Sequence, residues 1–92
     1  MISGFRNKTL ERAFRSGSSK GLPPEFVAKI RRVLLALDQA QRADDLRIPG
    51  FGLHPLTGDL KGFWSIVVSR NWRITFRFEG TDAGEVDMTD YH

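Results

Sequence analysis

Several features that mark particular protein classes are missing from this sequence of 92 residues. It has no cysteine, which excludes disulfide bonds, zinc–thiolate sites and a thiol nucleophile. No apolar stretch approaches a transmembrane span, and the start MISGFRNKTL lacks the apolar run of a signal peptide. These absences predict a cytoplasmic protein, and the length predicts one domain that comprises residues 1–92.

Positive charge is concentrated in the first half of the chain. Residues 1–48 carry ten Lys and Arg against five Asp and Glu, a balance of +5, whereas residues 49–92 carry four against six, a balance of −2. Basic small domains favour nucleic acids or acidic partners. A solvated helical surface accounts for the charge equally well, so both interpretations stay open here.

The first part of the chain predicts a short edge strand at residues 2–5 and then a helix. Asn7 is a suitable N-cap, and the stretch SGSSKG at residues 16–21 ends the helix. The apolar stripe of this helix follows the i, i+3, i+4 spacing and consists of Leu10, Ala13 and Phe14.

A second and longer amphipathic helix is predicted to begin at Pro23 and Pro24, because proline is tolerated in a first helical turn. It should extend to about Gln41. Its apolar positions recur at helical spacing and are Phe26, Ile30, Val33, Leu34 and Leu37.

After Pro49 and Gly50 the apolar period changes from that of a helix to that of a strand. Aromatic and β-branched residues in short runs, separated by turn residues, predict an antiparallel meander. Residues 51–56 are predicted to form a short strand or an extended segment. The other predicted strands are residues 63–69, 72–78 and 85–90, and the predicted turns are 57–59, 69–71 and 80–84. The expected fold is therefore α+β, with two N-terminal helices packed on an antiparallel β-sheet meander.

The stretch WRITFRF alternates strictly between apolar and polar residues. Trp72, Ile74, Phe76 and Phe78 should face the helices, which leaves Arg73, Thr75 and Arg77 on the open face of the sheet. Two arginines there are either ordinary surface residues or phosphate ligands. In the second interpretation the open face binds RNA, and Tyr91 is available to stack on a base.

Three groups that can transfer protons end this sequence, namely Asp90, Tyr91 and His92. The only other histidine is His54. RNA carries its own nucleophile, the 2′-hydroxyl, so a ribonuclease needs a base, an acid and a cation beside the phosphate. Imidazole suits the acid and base roles and arginine suits the cation role, although a hydrogen-bonded His54 and a frayed terminus account for the same residues without catalysis.

A metal site is the competing chemistry for the same residues. Two histidines and Asp90 have suitable donor atoms, but the sequence contains neither an H-x-x-x-H motif nor a carboxylate cluster. We therefore predict neither a metal nor another cofactor.

Two stretches together resemble a known family. LHPLTGDLKGFWSIVVSRNWRITFRF and the terminal DMTDYH are similar to HigB-type toxins of the RelE-like superfamily, also described as plasmid-maintenance killer proteins. The resemblance covers essentially the whole chain. It implies a type II toxin: an endoribonuclease, or mRNA interferase, that inhibits translation by cutting translated mRNA in the ribosomal A site.

The resemblance also implies partners and site residues. The partners are a helix-turn-helix antitoxin of the HigA type, which represses the shared operon by binding its operator DNA, and the 70S ribosome with mRNA. Members often carry a lysine where this chain has Thr57, and Lys61 is a candidate replacement. The residues that match the family's active site are His54, Arg73, Asp90, Tyr91 and His92. The residues expected to contact RNA are Lys20, Lys61, Arg70, Asn71 and, from its place on the open face, Arg77.

Two other function classes remain as alternatives. A non-catalytic module could use the same basic surface to bind an antitoxin or ribosomal RNA. A helix-turn-helix protein encoded next to this chain would indicate a toxin–antitoxin pair. A DNA-binding protein is the weakest alternative, because the sequence has no helix-turn-helix and no minor-groove arm.

Overall fold

The computed structural model describes residues 1–90, so the predicted site residues Tyr91 and His92 lie outside the described residues. The strands form one antiparallel sheet in the order β1-β2-β3-β4, and both helices pack on one of its faces. This confirms the predicted α+β class. The elements are α1 (Lys8–Ser16), α2 (Val27–Gln39), β1 (His54–Pro55), β2 (Trp64–Val67), β3 (Trp72–Glu79) and β4 (Asp82–Asp90).

The ends of α1 follow from its flanking residues. The Asn7 side chain accepts a hydrogen bond of 2.9 Å from the Leu10 amide, so the predicted N-cap is confirmed. Gly17 ends the helix in the left-handed conformation at φ +75° and donates its amide to the Ala13 carbonyl.

The boundaries of α2 differ from the prediction. Residues Pro24–Phe26 form a 3-10 turn, and the α-helix begins only at Val27. It ends at Gln39 because Ala40 is buried in the core with an extended backbone, which turns the chain before the predicted end at Gln41. Within residues 1–90 no helix is long and apolar enough to cross a membrane.

The core lies between the helices and the inner face of the sheet. The alternation predicted for β3 is confirmed, since Ile74 and Phe76 are fully buried, and Val86 of β4 points inward beside them. Full burial of each large apolar side chain contributes roughly 1.5–3 kcal/mol. The helices supply the opposite side of this core through Leu10, Ile30, Val33, Leu34 and Leu37.

The N-terminal segment covers the free edge of β4. The edge strand predicted at residues 2–5 is replaced by two isolated parallel bridges, from Ile2 to Ala83 and from Phe5 to Val86. The Ile2 amide also donates to the Asp38 carboxylate of α2 at 3.0 Å. This pairing covers the first part of the β4 edge, at residues 83–86.

The last strand begins earlier than the sequence suggests. We expected a turn over residues 80–84, but β4 already starts at Asp82, and Ala83 pairs with Phe78. The prediction was wrong there because Ala83 is fully buried, which a residue in an exposed turn would not be.

A β-bulge interrupts β4 at its centre. Arg77 pairs with Gly84 and Thr75 pairs with Asp87, so two steps along β3 match three steps along β4. The extra residue is accommodated at Glu85, which has a positive φ of 50°. The bulge changes which residues of β4 face inward, and it places Asp87 beside Thr75 on the open face of the sheet.

Candidate active site

The open face of the sheet contains a cavity of about 320 Å³. Because Ile66 and Ile74 point into the core, the residues that alternate with them on β2 and β3 point into this cavity. Three strands and the loop before β1 contribute its walls. The lining residues are Gly52, His54, Leu56, Ser65, Val67 and Arg73.

His54 is placed by the register of the sheet. It pairs with Ser65, which pairs with Thr75, which in turn pairs with Asp87, so one row of polar residues crosses all four strands. Ser65 and Thr75 are only 4% and 5% exposed, although both carry hydroxyl groups. His54 is exposed at the end of this row, where its imidazole is accessible to a substrate.

The loop before β1 forms the wall beside His54. The Phe51 side chain is buried, and its carbonyl accepts a 2.7 Å hydrogen bond from the Val67 amide. Gly52 follows at φ +57°, and a Cβ atom there would lie 2.8 Å from Cγ2 of Val67. Of residues 51–56, predicted as a short strand or an extended segment, only His54–Pro55 form a strand, because this bend keeps the preceding residues out of the ladder.

Arg73 reaches the cavity from β3 and is held by the hairpin between β2 and β3. Its Nη1 atom donates to the carbonyls of Ser69 at 2.6 Å and Arg70 at 3.1 Å. These acceptors have no formal charge, so these two contacts orient the guanidinium and do not themselves cancel its charge. They also fix the loop that carries Asn71, in the position predicted for the hairpin connection.

Asp90 lies at the end of β4 and pairs with Trp72, one position from Arg73. The preceding residue, Thr89, pairs with Arg73 itself. Its Oγ1 atom is buried and has no hydrogen-bond partner within residues 1–90. Asp90 thus lies at the same end of the sheet as Arg73, but it does not line the cavity, and its partner Trp72 packs against the core.

The residues predicted to contact RNA are spread over the surface. Lys20 lies in the loop between the helices and Lys61 follows the 3-10 turn Gly58–Leu60, and both are exposed. Arg70 and Asn71 are exposed in the hairpin beside Arg73. None of these four side chains lines the cavity.

Arg77 is on the open face, as the alternation predicted, but it has an ionic partner that the sequence did not suggest. Its Nη1 atom lies 3.4 Å from a carboxylate oxygen of Glu85. No residue pattern indicates this pair, because it depends on the bulge in β4.

Several cavity residues were also missed by sequence reasoning. The alternation in β2 places Ser65 and Val67 opposite the buried Ile66, so these two could have been found from the pattern. Gly52 could not, because its role depends on a backbone angle. Among residues 1–90 no group of three or more His, Asp or Glu side chains is placed to hold a metal ion.

Comparisons with known proteins agree on one family. Residues 3–92 match the family model described as the RelE-like toxin of the type II toxin–antitoxin system HigB. The chain is 42% identical over 92 residues to the endoribonuclease HigB of Proteus vulgaris, with all of both chains covered. It is 37% identical over 80 residues to the toxin HigB-1 of Vibrio cholerae serotype O1, covering 85% of this chain and 84% of that one.

A solved structure shares the fold. The YoeB/ParE toxin from Agrobacterium tumefaciens superimposes with a TM-score of 0.62, covering 100% of this chain and 99% of that one. The two sequences are 22% identical, so this likeness concerns the arrangement of helices and strands.

Proposed function

The chain belongs to the family of RelE-like toxins of HigB type II toxin–antitoxin systems, and we propose that it is a ribosome-dependent mRNA endonuclease. The endonuclease activity is that named for the Proteus vulgaris relative. Cleavage would take place on translated mRNA in the ribosomal A site. A type II toxin has an antitoxin partner, and for this chain we propose one of the HigA type with a helix-turn-helix domain.

One observation carries the proposal: His54 and Arg73 line the same cavity on the open face of the sheet. An imidazole and a guanidinium are the proton-transfer group and the cation that phosphodiester cleavage requires. Asp90 ends the strand that pairs with β3 at Trp72, so a carboxylate lies at the same end of the sheet.

The proposed reaction needs no nucleophile from the protein and no metal ion. A base removes the proton of the 2′-hydroxyl, and the 2′-oxygen forms a bond to phosphorus. The bond from phosphorus to the 5′-oxygen breaks, and an acid protonates that oxygen. The products are a 2′,3′-cyclic phosphate and a 5′-hydroxyl.

The roles follow from the chemistry of the groups. Arg73 stabilises the charge on the phosphorane, His92 or Asp90 acts as the base, and His54 or His92 acts as the acid. Tyr91 orients a reacting group or stacks on a base. His54 lies on β1 and Asp90 on β4, which are the two outer strands of the sheet. The two proton-transfer groups would therefore come from opposite edges of the sheet.

Binding to the ribosome is proposed for exposed polar and basic residues outside the cavity. Arg70 and Asn71 share the hairpin that Arg73 holds, and Lys61 lies before β2. Lys20 projects from the loop between the helices and is proposed to contact ribosomal RNA. Contact with operator DNA would be made only through the antitoxin, and the protein would act in the cytoplasm.

Cleavage in a translating extract tests this function. We expect the unchanged chain to cut the mRNA only while it is translated, leaving cyclic phosphate ends. His54→Ala, Arg73→Ala and His92→Ala should each slow cleavage by roughly 10²-fold or more. Arg12→Ala, which removes an exposed arginine from α1 on the other side of the sheet, is the matched control and should cut normally.

The outcomes separate the parts of the proposal. Cutting of naked mRNA at the same rate would refute ribosome dependence. Products with 3′-hydroxyl and 5′-phosphate ends would refute attack by the 2′-hydroxyl. Equal cleavage by all variants would refute the site, and a chain that binds the antitoxin but never cuts would favour a non-catalytic module.

A further inference from the structure

Beyond the cavity, the open face carries a second cluster, which we call the Phe63 site: Phe63, Arg6, Arg77 and Glu85. The guanidinium carbons of Arg6 and Arg77 lie 5.5 Å and 5.9 Å from the centre of the Phe63 ring. The Glu85 carboxylate contacts both arginines. Four chain segments therefore meet here, namely the N-terminal segment, the residue before β2, the second half of β3 and the bulge of β4.

Two guanidinium groups in this cluster share the Glu85 carboxylate. A further carboxylate, that of Glu79, lies beside Gly84, which pairs with Arg77. Arg6 holds Glu85 through two hydrogen bonds of 2.6 Å and 3.1 Å to the same oxygen, whereas Arg77 reaches the other oxygen at 3.4 Å. Arg77 is thus the less tightly held of the two cations, and it is the one that a phosphate can engage.

The cluster is also open to solvent. The side chain of Arg77 is 47% exposed and that of Arg6 is 52% exposed, whereas that of Glu85 is 32% exposed. Of the two arginines, Arg77 has the longer contact with the carboxylate and is nearer to the cavity along β3. A phosphate suits it because the planar guanidinium presents parallel N–H donors to two phosphate oxygens.

The Phe63 site and the cavity form one continuous surface. Arg73, Thr75 and Arg77 follow one another on the open face of β3. At about 3.3 Å per residue, Arg77 lies roughly 13 Å from Arg73 along the strand. Leu56, which lines the cavity, donates its amide to the Phe63 carbonyl at 2.9 Å. A bound strand would thus reach Arg77 with a phosphate about two nucleotides from the one that is cut.

We infer that the Phe63 site is a second subsite for single-stranded RNA, where Arg77, positioned by Arg6 and Glu85, binds a phosphate about two nucleotides from the cleaved one. This inference rests on the proposed function, because it assumes that RNA occupies the cavity. Glu85 is a positioning residue that holds the arginines but also competes with the phosphate for Arg77.

Opposite changes at Arg77 and Glu85 provide the test. Binding of fully 2′-O-methylated oligoribonucleotides, which cannot be cut by 2′-hydroxyl attack, is measured by fluorescence anisotropy over a range of salt concentrations. For a strand of about eight nucleotides, Arg77→Gln should weaken binding roughly tenfold and reduce the salt slope by about 0.7. Glu85→Gln removes the competing charge and should strengthen binding.

Two comparisons control for strand length and for the loss of positive charge. A dinucleotide is too short to span both sites, so Arg77→Gln should leave its binding unchanged. Arg12→Gln removes the same charge from an exposed position on α1 and should weaken binding of the longer strand less than Arg77→Gln does. The Tm of each variant is also measured, because a loss of RNA binding that accompanies a large fall in Tm would indicate that the ion pairs only stabilise the fold.

The inference is overturned if Arg77→Gln leaves the salt slope unchanged, if Glu85→Gln weakens binding, or if no oligonucleotide binds at low salt. These results differ from failure of the proposed function. Binding as expected without mRNA cleavage would refute the endonuclease and leave the subsite standing. Normal cleavage with an unchanged salt slope would refute the subsite alone.

Discussion

Replacing Gly52 by alanine tests how closely the wall of the cavity is packed. The backbone at Gly52 has a φ of +57°, a conformation that residues with a side chain adopt only at a cost. A Cβ atom there would lie 2.8 Å from Cγ2 and 3.6 Å from Cβ of Val67. Since both residues line the cavity, Gly52→Ala should disturb the site and the stability of the fold together.

Two effects set the expected magnitude. The left-handed backbone costs about 1–2 kcal/mol for a residue with a side chain. Overpacking against Val67 costs about 1–3 kcal/mol more. The free energy of unfolding should therefore fall by roughly 2–5 kcal/mol, a large share of the 5–15 kcal/mol typical of a folded domain. In a chain of this size that lowers Tm by about 8 °C or more.

Gly80→Ala is the matched control for this change. Gly80 has a similar φ of +65°, but no described atom lies within 4 Å of the Cβ position. Urea unfolding of Gly80→Ala should therefore show only the backbone cost of about 1–2 kcal/mol. The difference between the two variants measures the overlap with Val67.

A double-mutant cycle completes the test. Val67→Ala removes Cγ2, so in combination with Gly52→Ala it should recover about 1–3 kcal/mol of the added loss, seen as a favourable coupling energy. Equal destabilisation by Gly52→Ala and Gly80→Ala, together with additive effects of Gly52→Ala and Val67→Ala, would refute close packing of the cavity wall at this point.

Two further predictions concern how the chain is held around the sheet. Asn7→Ala removes the N-cap of α1 and should lower the free energy of unfolding by about 1 kcal/mol in urea with normal mRNA cleavage, so an unchanged urea midpoint would contradict the cap. Asp38→Ala removes the acceptor for the Ile2 amide and should cost about 1–3 kcal/mol and speed hydrogen exchange at Ile2. Asp38→Asn keeps an oxygen acceptor and should lose less, and equal losses would argue against that hydrogen bond.

Much of the fold could be predicted because side-chain periods report directly on burial. The i, i+3, i+4 spacing of α1 and the longer stripe of α2 identified both helices, and the strict alternation in β3 identified the inner and outer faces of the sheet. Placing Arg73 on the open face followed from that alternation alone. That His54 lines the same cavity required a correct pairing of β1 with β2, which the meander order supplied.

The remaining features depend on backbone angles that residue patterns do not record. The bend at Gly52 limits the strand within residues 51–56 to His54–Pro55, and the extended backbone of the buried Ala40 ends α2 early. Both are set by tertiary packing, which routinely overrides local propensity. Gly52 and Ala40 are visible in the sequence, but the backbone angles that they adopt are fixed only when the core is packed.

The positive φ at Glu85 forms the bulge in β4, and this bulge affects both the cavity and the Phe63 site on the open face. Ala83 and Met88 are five positions apart, so in a regular strand they would lie on opposite faces. The extra residue allows Ala83, Val86 and Met88 all to contact the core. The strand therefore continues to Asp90 in the register that pairs Thr89 with Arg73.

The backbone at Glu85 has a φ of +50°, which costs about 1–2 kcal/mol for a residue other than glycine. A glycine at this position would avoid that cost, but it would carry no carboxylate. The contacts of Glu85 with Arg6 and Arg77 contribute about 0–1 kcal/mol each, so together they are similar in size to the strain. Glycine would also lose more conformational entropy on folding, so stability alone does not favour glycine here, and glutamate additionally positions the two arginines.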